Sequence, residues 1–142
     1  MQFLEENIDD IDYEEDGTGG NIFQNILPTE PDECVMVRNT GGFPKDMRHA
    51  EYFEPSIQIY VRGTQDPRVG KELAQEIINI MGTLASMKFV EEGAEWRVIK
   101  SQAMQAMPIH NGRDDNDRHE FSTNFELEIQ KINYGVIFNG FW

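Results

Sequence analysis

Polar and apolar residues alternate most cleanly between Phe121 and Gln130. Phe121, Thr123, Phe125, Leu127 and Ile129 take one side; Ser122, Asn124, Glu126, Glu128 and Gln130 take the other. A period of two predicts a long strand with one buried and one wet face, as in an antiparallel sheet. Ile57, Ile59 and Val61 alternate in the same way with Gln58, Tyr60 and Arg62, up to Gly63. The period then changes. Val69, Leu73, Ile77, Ile80 and Leu84 recur every three or four residues, and Ala74, Ile78 and Met81 widen the stripe. That spacing predicts an amphipathic helix to about Ser86, begun by Asp66 as N-cap and Pro67 as first helical residue.

Shorter patterns fill in the remainder. Asn21–Leu27 and Cys34–Asn39 are apolar runs separated by "PTEPDE", which predicts a strand–turn–strand unit. Phe43 to Pro55 has no clear period and reads as a loop, with His49 on its surface. Met87 to Lys100 reads as a short strand, a turn at Gly93, and a second strand from Trp96. "SQAMQAM" (101–107) has helical propensity, but its position favours continuing that strand. Residues 1–8 predict a short helix with Phe3, Leu4 and Ile8 on one face, and 9–20 an acidic, mobile loop. The tail, 133–142, is aromatic and apolar; it either packs back on the core or inserts into a partner.

Strands, one long helix, then strands again exclude the alternation of a doubly wound nucleotide-binding fold. The expected class is α+β: one domain over 1–142, an antiparallel or mixed sheet, the long helix on one face, and a short N-terminal helix. The 142 residues are enough for a core without disulfides or metals. Cys34, the single cysteine, excludes a disulfide framework and reads as a buried small hydrophobe rather than a nucleophile. No run approaches the ~20 apolar residues of a membrane span, and the acidic N-terminus does not resemble a signal peptide.

Charge narrows the function further. The net charge is -14, and the first 16 residues hold eight acids without a Lys or Arg. The remaining chain is also acidic, with 18 acids against 12 bases. A tight nucleic-acid binder needs clustered cations to replace phosphate counterions, and none is visible. An acidic protein can still work beside DNA if its task is to repel it.

Candidate chemistry concentrates in "NGRDDNDRHE" (111–120). A calcium loop starting at Asp115 would use Asp115, Asp117, His119 and Glu126, but Glu120 occupies the position that needs glycine. A hydrolase could draw on Asp114, Asp115, Asp117 and His119, with His110 and Glu120 as further acid–base candidates. Neither an H-E-x-x-H nor a G-x-S-x-G pattern is present, and the glycine-rich stretches at 17–20 and 41–42 lack phosphate-loop spacing. Asp, Asn, Gly and Arg between strands are turn residues first. The expectation is therefore no catalytic, cofactor or metal site.

In order and spacing, "LPTEPDECVMVRNTGG" (27–42), "EYFEPSIQIYVRGTQD" (51–66), the helix, and "PIHNGRDDNDRHEFSTNFELEI" (108–129) resemble the tail terminator family of long-tailed bacteriophages. Some members are labelled tail completion or minor capsid proteins. The resemblance spans roughly 21–132; the acidic segment 9–16 and the tail 134–142 depart from it. It implies a non-enzymatic virion protein, assembled in the host cytoplasm, that forms a ring of six on the head-proximal end of the tail tube. Such a ring stops tube growth, meets the head-completion or connector proteins, and lets DNA pass through its lumen without specific binding. A neck adaptor one layer higher is the alternative. Candidate contacts are Arg62, Arg118, Glu126 and Glu128, and the tail residues Phe138, Phe141 and Trp142.

Overall fold

The computed structural model describes Leu4 and residues 20–44, 52–91 and 93–132. The expected N-terminal helix, the acidic loop, His49 and the tail lie outside these, apart from Leu4 and Gly20. Among the described residues seven strands form one sheet: β1 (Ile22–Gln24), β2 (Cys34–Phe43), β3 (Tyr52–Arg62), β4 (Lys88–Glu91), β5 (Ala94–Ala103), β6 (Ile109–Arg113) and β7 (His119–Ile132). The helix α1 (Pro67–Met81) joins β3 to β4 and ends in a 3-10 turn at Gly82–Leu84.

The strand order is β1-β2-β3-β7-β5-β4, with β6 also paired to β7. All pairings are antiparallel except β1 with β2. The segment between β1 and β2 is therefore not a hairpin turn, which corrects the strand–turn–strand expectation. β3 occupies one edge of β7 along its length; β5 and β6 share the other, opposite 125–132 and 119–122. The break between β5 and β6 falls at 104–108, so strand continues through Ala103 but not through "MQAM".

The helix begins as its sequence dictates. Asp66 Oδ1 accepts the Arg68 backbone N–H at 3.0 Å, and Pro67 supplies a first residue with no N–H to satisfy. Leu73, Ala74, Ile77 and Met81 are buried against Val35, Ile59, Val61, Phe121 and Phe125 of the sheet, with Leu4 and Ile22 completing the core. The helix stops at Met81, earlier than the apolar pattern suggests, because the chain tightens into the 3-10 turn that carries Leu84.

Cys34 is fully buried at the start of β2. Burial pushes its thiol up to about 11; the nearby Arg62 and Arg118 charges pull the other way without offsetting it. With a folded pKa above the thiol's ordinary 9.0, the neutral thiol's contribution to stability is complete below that pH and is lost as pH rises through about 11. Native protein at pH 8 is expected to react with a thiol reagent at least ~100-fold more slowly than guanidine-unfolded chain. Equal rates would show that the thiol is accessible.

Candidate functional site

Three connections meet at one end of the sheet: the β1–β2 segment, the Gly63–Asp66 turn before α1, and the Asp114–Arg118 turn between β6 and β7. Backbone bonds tie the last two together. Gly63 N–H donates to the His119 carbonyl at 2.9 Å, and His119 N–H donates to the Thr64 carbonyl at 3.0 Å. The β6–β7 turn is built around Asp114, whose Oδ1 accepts the backbone N–H groups of Asn116 at 3.0 Å and Arg118 at 2.9 Å. Asp117 sits there at φ 60, a conformation that short polar side chains tolerate.

Two arginines lock the third segment onto this frame. Arg62 Nε donates to the Asp32 carbonyl at 3.0 Å, and its Nη2 to the carbonyls of Pro31 at 2.7 Å and Thr29 at 3.2 Å. Arg118 Nη1 donates to the Thr29 carbonyl at 2.7 Å and to Asp32 Oδ1 at 3.0 Å, while its Nε holds Asp114 Oδ2 at 2.8 Å. A guanidinium's fixed fork of donors suits such a set of convergent oxygens. Arg62 and Arg118 are only 3% and 5% exposed, so both are internal fasteners of the subunit, which corrects their expected place on its contact surface.

The electrostatics follow from this arrangement. Burial pushes the Asp114 carboxyl up, but the two backbone N–H groups and the Arg118 guanidinium outweigh it and hold the group below the usual carboxylate range. Hydrogen bonds from the Arg68 side chain and backbone hold Asp66 at about 2. Arg62 and Arg118 are turned inward, whereas the side chain of Asp32 is 66% exposed. An open polar cleft of about 580 Å³ lies here, lined by Glu30, Asp32, Thr64, Gln65, Asp66, Asn116 and Arg118. The solvent-facing charges around it carry both signs, since exposed Arg68 and Arg113 pair with Asp66 and Asp117.

The acid–base candidates are dispersed among other tasks. The Tyr60 hydroxyl donates to Glu120, and burial together with that carboxylate pushes Tyr60 up to about 12. His110 Nε2 and His119 Nδ1 lie 2.9 Å apart, and the His110 ring packs tilted against Phe121, with centroids 5.1 Å apart. Asp114 serves Arg118, and Asp117 pairs with Arg113 at 3.7 Å. Glu126 lies on β7 opposite Ser56, roughly 20 Å along the strand from Glu120, so the calcium spacing does not close into a loop. Among the described residues, no three His, Cys, Asp or Glu side chains converge as metal ligands.

The second face of β7 is less open than its alternation implies. Ser122 is buried, bonded by Asn111 Nδ2 of β6 at 2.8 Å, and Asn124, Glu126 and Glu128 are half-buried. Lys100 Nζ stands 4.0 Å from Glu126, a pair of little energetic weight at this exposure. The carbonyls of Thr29, Pro31 and Asp32 are the site feature that sequence reading missed.

A family model described as "Bacteriophage tail terminator protein" matches residues 6–131. The chain belongs to the bacteriophage tail terminator family. This family member is accordingly a structural protein of the phage tail, and its family is structural rather than enzymatic. One solved structure aligns with it at TM-score 0.48 and 11% identity over 80% of each chain. No curated protein matches this tail terminator family member. Among its described residues, no helix is long and apolar enough to cross a membrane.

Proposed function

We propose that this protein closes into a ring, of six subunits, on the head-proximal end of the phage tail tube. There it stops tube polymerisation and offers the joining surface for head-completion or connector proteins. The observation that carries this is the family match over 6–131. A ring needs head-to-tail contacts between unlike surfaces. The sheet supports such contacts, since it ends in two different edges, the three-residue β1 and the hairpin strand β4. Glu126 and Glu128, with Phe138, Phe141 and Trp142 of the tail, remain the contact candidates.

The net charge of -14 supports a lumen through which DNA passes without sticking. Electron microscopy of phage lacking this gene tests the role. Overlong tails are the expected result. Tails of normal length lying beside full heads would place the protein one layer higher, in the neck, and would overturn the terminator reading.

A further inference from the structure

The outermost strand on one side of the sheet is β4, and among the described residues nothing pairs with its outer edge. Its middle residues are Phe89 and Val90, 39% and 74% exposed. Phe89 lies opposite Trp96 and Val90 opposite Glu95, so the two project to opposite faces of the same edge. An unpaired row of N–H and C=O groups flanked by apolar side chains is a template for another extended segment. Lys88, at the start of this strand, disfavours indiscriminate stacking and leaves a short, specific slot.

We infer that this slot receives residues 133–142 of a neighbouring copy, which adds a strand to β4 around the ring. The inference rests on the ring reading above. Three observations select this occupant. The segment is NYGVIFNGFW, six of whose ten residues are Tyr, Val, Ile, Phe or Trp and none of which is charged. Copies that each carry a charge of -14 repel one another, so an uncharged arm is the least opposed means of contact.

The third observation is where the arm departs. β7 is an interior strand: at its end Ile132 is opposite Glu95 of β5, while Gln130 is opposite Tyr52 of β3. The last described residue of β7 therefore lies at the end of an interior strand and not on a sheet edge. Ten extended residues reach at most ~35 Å, about the width of seven strands at ~4.8 Å spacing, and so the distance to an adjoining subunit. Reaching its own β4 would instead require a reversal around the β4–β5 turn.

Mixed disulfide trapping tests this in the full-length protein. One variant carries Val90→Cys. A second set carries Val136→Cys, Ile137→Cys or Phe138→Cys. Each is mixed with the first under mild oxidation, both free at high concentration and on assembled tail tubes. Buried Cys34 is replaced by Ala in every variant. A disulfide requires Cα atoms within about 7 Å. Cross-linked heterodimers from at least one mixture are the expected result. The absence of any heterodimer would overturn the inference, and so would a double variant, Val90→Cys with Ile137→Cys, that cross-links only within its own chain.

Deletion of 133–142 gives an independent check. The shortened chain is expected to keep its melting transition but lose oligomerisation and tube capping. Should it form rings and cap tubes like the full chain, the arm has no such role while the ring reading stands. If the full chain itself neither oligomerises nor caps tubes, the ring reading fails first.

Discussion

Arg118→Ala is expected to destabilise the fold by about 3 kcal/mol. The side chain is 5% exposed and spends its donors on Asp114, the Thr29 carbonyl and Asp32. Removing it strands a carboxylate that the fold holds ionised and releases one of the two fasteners on residues 29–32. For a chain of this size the melting temperature should fall by roughly 10 °C. Arg118→Lys should recover less than half, because a single ammonium cannot reach three partners in different directions. A loss under ~0.5 kcal/mol in urea titration would show that solvent, not the protein, holds this group. Any assembly defect in these variants must be scored only after their folded fraction is known.

Gly63→Ala should cost as much, by a different route. A Cβ at Gly63 would sit 2.6 Å from the Gly70 nitrogen and 2.7 Å from its Cα, both backbone atoms of the first turn of α1. That turn cannot retreat without pulling α1 off β7, so a cost of about 3 kcal/mol is expected. Gly70→Ala makes a useful contrast. Its Cβ would meet the Phe121 ring at 2.9 and 3.0 Å and the Gly63 nitrogen at 3.2 Å; a ring edge can shift, and the backbone contact is looser than the 2.6 Å at Gly63. Replacing a helix-interior glycine also returns up to ~1 kcal/mol of propensity. Equilibrium unfolding should rank Gly63→Ala as the more damaging; the reverse order would mean that the β3–α1 turn is pliable.

Much of the scaffold was legible because its signals are local. Alternation identified β3 and β7, and Asp66-Pro67 marked the start of α1, since both depend on neighbours in sequence. β6 was hidden. Ile109 to Arg113 contains no apolar alternation, and Gly112, at φ +106, breaks its register with β7. The parallel pairing of β1 with β2 was equally invisible, because strand direction is settled by the tertiary structure and not by composition. Arg62 and Arg118 looked like surface residues because isolated cations usually are. The carbonyls that bury Arg62 lie 30 to 33 residues away, and the one that Arg118 shares with it lies 89 away. No pattern within a window could have announced them. The exception is Asp114, four residues before Arg118, which could have suggested a self-contained turn.

The central place of β7 has a consequence in time. Its partners Tyr52–Arg62 and Ala94–Ala103 are synthesised first, and neither can fill the edge it occupies until the ribosome has passed Ile132. Pairs such as Arg62 with Glu120 span nearly sixty residues, so the sheet closes through distant contacts, which form slowly. A chain interrupted before His119 would therefore carry α1 and two unsatisfied hairpins but no completed sheet. Translation itself thus withholds the completed sheet until β7 has been read.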